Sequence, residues 1–228
     1  MSVLPIFMID FDETRHKKKA TARDFPDLRV LLRDRNILKL FIPNLTVGIG
    51  AAMLVPYINL FFVEKFQVDD STLGTFFAMA SLVTGISTLF GPMLVNRFHG
   101  RIRTVTFTQV SSLIFLIVLG FSPWRWLAVV GFLLRGALMN MAMPLWDAFV
   151  MEQVEEDQQA TVASIQRFAW EFGWATAPFI SGIIQENWGF TPLFIITGFF
   201  YILTSATTFG FFQHKDKEEA AELEVSAA

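Results

Sequence analysis

Six stretches of this chain, each close to the length that crosses a bilayer, are almost free of charge, and this pattern narrows the available folds more than any other feature. A helix needs about 20 mainly apolar residues to span a hydrocarbon core ~30 Å thick. Residues 37–62, 71–95, 105–121, 124–149, 160–184 and 191–212 meet or approach that length. Lipid offers no water to backbone amides, so spans of this kind close their hydrogen bonds internally, as helices. Composition agrees. Charged residues make up 17% of the chain, against about 25% in soluble domains, and most of them lie in the first forty residues, the connections and the tail.

The expected fold is all-α, an integral membrane six-helix bundle over 37–212, with a polar leader at 1–36 and an acidic tail at 213–228. The links between spans are short, so consecutive helices run antiparallel. Asp69, Asp70 and Ser71 supply helix-start chemistry for the second span. The apolar run 3–9 is too short to span and lacks a cleavage pattern, so it is not read as a signal peptide.

Orientation follows from the basic residues. The segment through Lys39 carries nine Lys and Arg, the connection at 96–103 carries Arg97, Arg101 and Arg103, and the tail carries Lys215 and Lys217. The opposite connections hold only Lys65 and Arg125. Both termini are therefore expected in the cytoplasm, in a multi-pass protein of the plasma (cell inner) membrane.

Several function classes find no support. There is no Cys, and His16, His99 and His214 lie far apart in polar flanks, so neither a thiolate site nor a histidine metal site is expected. No cofactor is expected. No nucleophile–base pair, phosphate-cradling Gly loop or basic aromatic patch for nucleic acid stands out. Glu152, Glu155, Glu156 and Asp157 read as a solvated turn before the fifth span rather than a calcium site.

The spans differ in polarity. The third and sixth look blandest, with scattered Ser and Thr, and are expected to face lipid. The second carries Gly74, Ala78, Ser81 and Gly85 on one face, a small-residue stripe that lets another helix approach closely. Charge at membrane depth costs about 2.5–3.5 kcal/mol on insertion scales, so Arg135, Arg167 and Glu171 call for a reason. One reading is a polar cluster lining a central cavity, with Glu171 as the proton carrier. The other is an Arg–Glu pair that neutralises itself, since Arg167 and Glu171 are i, i+4. Asn59, Tyr57, Asn140, Gln166 and Trp170 could contact a substrate or make interhelical bonds. Pro43, Pro56, Pro144 and Pro178 stand where transporter helices often bend. Asp147 is near enough to Arg97, Arg101 or Arg103 to form an ion-pair gate, unless those arginines only enforce topology.

Residues 91–103, GPMLVNRFHGRIR, resemble the loop signature between the second and third helices of each half of a major facilitator superfamily (MFS) transporter. Asn96 stands where that signature usually has Asp. Gly100, Arg97, Arg101 and Arg103 fall on its Gly and basic positions. Residues 132–138, FLLRGAL, resemble the family's Arg-bearing fourth-helix pattern, and 173–182, GWATAPFISG, its fifth-helix Gly-Pro pattern with Ala177 and Ser181 replacing Gly. Residues 3–9 resemble the end of a sixth helix, and 12–39 the link between halves. The resemblance implies a C-terminal six-helix half. The missing N-terminal six helices would come from the same longer chain, a separate chain or a self-dimer. It also implies secondary active transport of a small organic solute by alternating access, with protons as the candidate coupling ion and efflux as the candidate direction. A non-transporting scaffold or sensor with the same fold is the alternative.

Overall fold

The computed structural model describes residues 35–98 and 100–227; most of the expected leader, the segment read as a preceding helix, and residues 12–34 of the segment read as the inter-half link lie outside the described residues, while 35–39 of that link belong to the first helix. All the regular structure described is helical. The first span, Arg35–Phe66, consists of α1 (Arg35–Leu54), a 3-10 turn at Val55–Tyr57 and α2 (Ile58–Phe66). Pro56 sits inside that turn, where a missing N–H and a fixed φ favour a break. The helices containing Pro43, Pro144 and Pro178 run through them without interruption. Of the four prolines, only Pro56 coincides with a break.

The second span is α3 (Asp70–Thr88) followed by α4 (Gly91–Phe98), bent by 48° between them. Asp69 caps α3: the backbone N–H and hydroxyl of Thr72 donate to its carboxylate at 3.0 and 2.7 Å. The Thr72 hydroxyl first, then its amide, hold the Asp69 carboxyl below its ordinary pKa. The remaining helices are α5 (Arg101–Phe121), α6 (Arg125–Glu152), α7 (Gln159–Trp188) and α8 (Thr191–Ala227). Helix α8 continues as one helix beyond residue 212, so the expected tail boundary is not a structural break.

Among the described residues four spans are apolar enough to cross a membrane on their own, and the bent pair α3–α4, taken as one span, makes a fifth. Helix α7 is long enough at 30 residues but is not among them. Gln166, Arg167, Glu171 and Gln185 dilute its apolar face.

The helices form an arc. Helix α1 packs between α7 and α8, α5 bridges α8 and α6, and α6 carries α3, leaving α3 and α7 at the two ends. Helix α3 buries only Phe76. Helix α5 turns Phe107, Val110, Ile114, Ile117 and Phe121 outward at helical spacing, as a lipid-facing stripe should. Close approach of α5 and α6 depends on Gly131: a Cβ there would lie 2.8 Å from the Leu119 amide nitrogen and 2.9 Å from the Phe115 carbonyl oxygen.

Two apolar clusters bracket the bundle. One, near the α2–α3 end, is built on Phe61, Phe62, Phe76, Leu119 and Phe194 with edge-to-face ring contacts. The other, near the start of α1, gathers Ile37, Leu40, Trp146, Phe149 and Phe212. Between them runs a polar waist. The Thr204 hydroxyl donates to Thr46 Oγ1 at 2.8 Å, and the Ser205 hydroxyl to Gln109 Oε1 at 3.3 Å. Helices α5 and α8 were expected to be bland, yet each turns a polar row inward. Thr197, Tyr201, Thr204, Ser205 and Thr208 are all buried on one face of α8, while Ile195, Phe199, Ile202 and Phe209 face out. The correction lies in phase rather than in composition.

Candidate functional site

The concave side of the arc holds a cavity of about 340 Å³. Helix α1 lends Asn44, α3 lends Phe77 and Ser81, and α7 lends Trp170 and Trp174. Helix α6 supplies Arg135, Asn140 and Asp147, with Gln109 and Tyr201 behind them on α5 and α8. A second lobe of about 350 Å³ adjoins it, sharing Asn44, Met143, Asp147 and Trp170 and adding Gln166 and Arg167. The Asn44 amide donates to the Gln166 backbone carbonyl oxygen at 2.6 Å and so ties α1 to α7 at the junction.

Arg135 is only 5% exposed. Its Nη2 donates to the Tyr201 hydroxyl, and its guanidinium carbon lies 5.3 Å from the centroid of the same ring. Both contacts suit a guanidinium, but neither supplies a negative charge. No carboxylate pairs with Arg135 among the described residues, and its Nε has no hydrogen-bond partner. The Trp174 Nε1 and both amide atoms of Gln166 are likewise buried without partners. Buried polar groups are nearly always satisfied, so this cluster at the cavity wall marks the site.

The sequence-predicted residues separate into groups. Arg135, Asn140 and Trp170 line the main cavity, with the Asn140 amide donating back to the Gly136 carbonyl oxygen at 2.8 Å. Arg167 lines the second lobe. It pairs with Glu171 at 2.5 Å, with side chains 76% and 52% exposed. Glu171 lies on the open edge of α7 and does not line the cavity, so Arg135, Arg167 and Glu171 form no single cluster. Asn59 is exposed and lines neither lobe. Tyr57 donates to the Pro178 carbonyl oxygen at 2.9 Å, a contact between helices.

The expected gate is also rearranged. Arg101 pairs with Glu152 at 2.6 Å, whereas Asp147 lines both lobes of the cavity. The two acids are five residues apart on α6, which turns them about 140° from each other at 100° per residue; one faces the α4–α5 connection and the other the cavity. Asn96 and Arg97 are exposed on the last turns of α4.

The connection itself is held by a residue that sequence reasoning passed over. Asp216, buried at 2% exposure, accepts from the backbone N–H groups of Ile102 and Arg103 at 2.9 and 2.8 Å, capping α5 from the far end of α8. Arg103 Nε lies 4.0 Å from the same carboxylate. Gly100 makes room for it: its φ is +154°, and a Cβ there would stand 2.3 Å from Asp216 Cγ.

A model of the Major Facilitator Superfamily matches residues 40–227. The chain is 26% identical over 184 residues to the multi-drug resistance efflux pump PmrA of Streptococcus pneumoniae, covering 78% of this chain and 46% of that protein. It is 22% identical over 172 residues to the multidrug resistance protein MdtG of Escherichia fergusonii (73% and 41%). It is also 22% identical over 177 residues to that of Enterobacter lignolyticus (75% and 42%). The chain thus spans less than half the length of these relatives.

Proposed function

Because this chain belongs to the Major Facilitator Superfamily, we propose that its bundle forms one wall of a pathway that expels small organic solutes across the cytoplasmic membrane by alternating access. The observation that carries this reading is the two-lobed cavity on the concave side of the arc, with a buried guanidinium and several unpartnered polar atoms in its wall. Transporters of this architecture bind substrate near the bilayer midplane, between two halves that rock against each other. A wall formed by α1, α3, α6 and α7 needs a facing wall. The relatives are more than twice the matched length, which supports a second six-helix half as its source, in the same longer chain, a separate chain or a second copy. The exposed stripe Gly74, Ala78, Ser81 and Gly85 on α3 suits close packing against that half.

Efflux is the direction we favour, because the named relatives are drug efflux proteins. Both termini lie in the cytoplasm on this reading, by the distribution of Lys and Arg. Protons drive the cycle, and Glu171 carries them: protonation neutralises it and releases Arg167 on the open edge of α7. The Arg101–Glu152 pair and the Asp216 cap hold the cytoplasmic connection of Asn96, Arg97, Gly100, Arg101 and Arg103 in one state.

The test is accumulation of a fluorescent dye in cells producing the full-length protein, with and without a proton uncoupler. Lower accumulation than in control cells, abolished by the uncoupler and by Glu171→Gln, is the expected result. Equal accumulation with normal membrane expression, across a panel of chemically distinct dyes, favours a scaffold or sensor instead.

A further inference from the structure

Two opposite charges line the cavity without counter-charges among the described residues. Arg135 is buried, and a buried cation is costly unless an anion accompanies it. Among the described residues, the polar partners it finds are the hydroxyl and ring of Tyr201, both neutral. Asp147, at the junction of the two lobes, makes no ion pair or hydrogen bond among the described residues. Both lie on α6, twelve residues apart, hence ~18 Å along the helix axis at 1.5 Å per residue. An ion pair requires contact within about 4 Å, so neither can neutralise the other. Between them the wall is apolar and aromatic, with Met139, Met143, Trp170 and Trp174.

Other buried polar atoms in the wall also lack partners. Trp174 Nε1 and Arg135 Nε are donors, buried and without acceptors. Gln166, 9% exposed in the second lobe with Asp147, has both its side-chain oxygen and its side-chain nitrogen unpaired. The donors Arg135 Nε and Trp174 Nε1 suit an acid; in the other lobe the Asp147 carboxylate suits an amine, because Arg167 there is already paired with Glu171 and Gln166 offers an acceptor as well as a donor.

Resting on the transport reading above, we propose that this cavity selects elongated amphipathic ampholytes. Their acidic group would meet Arg135, their basic group Asp147, and their aromatic body the tryptophans between. A charge separation on the order of 10 Å suits the span once both side chains reach inward along the ~18 Å of helix. Arg135 and Asp147 are then the residues that determine specificity.

The test measures binding to the full-length protein in nanodiscs by isothermal titration calorimetry, against empty nanodiscs. Three ligands share one biphenyl body: 4'-(aminomethyl)biphenyl-4-carboxylic acid, 4-(aminomethyl)biphenyl and biphenyl-4-carboxylate. The ampholyte should bind about 10–100-fold tighter than either single-ended compound, the ratio expected from one added charged hydrogen bond. Asp147→Asn should bring the ampholyte to the level of the carboxylate and leave the carboxylate unchanged. This variant alters an accessible side chain, so the result does not depend on replacing the buried Arg135. Equal binding of the amine and the ampholyte overturns the proposal, because Arg135 would then have found its anion in the facing half. So does an Asp147→Asn variant that weakens all three ligands alike, or a protein that binds none of them. Dye efflux is measured separately: efflux that persists when the ligand order fails leaves transport standing, and absent efflux refutes transport whatever the ligand order.

Discussion

Removing the Asp216 carboxylate should loosen the bundle at the end where α4, α5 and α8 meet. Two backbone donors of the first turn of α5 depend on it, at 2.9 and 2.8 Å. Hydrogen bonds to a charged partner contribute about 1.5–3 kcal/mol each, and stranded buried donors add to the loss. Asp216→Ala should therefore cost about 4 kcal/mol. At ~2–4 °C per kcal/mol for a domain of this size, the melting temperature in detergent should fall by about 10 °C at a fixed scan rate. Asp216→Asn keeps the shape but turns one N–H toward a donor, so about half that loss is expected. Amide hydrogen exchange gives the local readout: Ile102 and Arg103 should lose protection before the rest of α5. Gly100→Ala completes a cycle. Alone it forces a methyl into Asp216 and also strains a backbone that only glycine adopts readily, at ~1–3 kcal/mol. In the Asp216→Ala background the contacts with Cγ and Oδ1 disappear while the 2.7 Å contact with Cβ and the backbone strain remain, so the double variant should lose less than the sum of the two single variants. Unchanged protection at Ile102 and Arg103 in Asp216→Ala would refute the reasoning.

Tyr201→Phe removes the hydroxyl that Arg135 donates to in a fully buried setting. A loss of about 1–3 kcal/mol is expected, read as a lower melting temperature, together with weaker dye efflux. Gly131→Ala presses a methyl against backbone atoms of α5 that cannot rotate away; about 1–3 kcal/mol of overpacking should show as a lower melting temperature and a broader size-exclusion peak. Glu152→Gln breaks a pair whose side chains are 26% and 57% exposed. It should cost less than about 1 kcal/mol and lower the melting temperature by less than about 4 °C.

Much of the helix layout was legible because apolar length is a local property. The breaks at Pro56 and between Thr88 and Gly91 refine spans that hydropathy had already located. Arg135 was legible as a buried residue that lines a cavity, since charge at mid-span demands an explanation. Tyr201 was missed because α8 was judged by content. Its polar residues recur at 197, 201, 204, 205 and 208, and that spacing was the available signal. Glu171 and Asp147 exchanged expected surroundings for a different reason. Depth along a helix can be counted from sequence, but the direction a side chain faces depends on which neighbours pack, and α7 ends up at the edge of the arc. Asp216 was beyond reach of span counting, because its partners lie 114 and 113 residues away.

The polarity of α7 bears on how the protein is made. A helix leaving the ribosome enters lipid by its own apolarity, and α7 has less of it than its neighbours. Arg167 and Glu171, paired one turn apart, lower that penalty by neutralising each other before the rest of the bundle closes. Only Gly189 and Phe190 separate α7 from the strongly apolar start of α8. The two helices are thus built to enter as a hairpin, the greasier arm drawing in the more polar one. Helix α1 lies more than a hundred residues before α7, so the face it packs against α7 and α8 is covered only by the last two helices of the bundle.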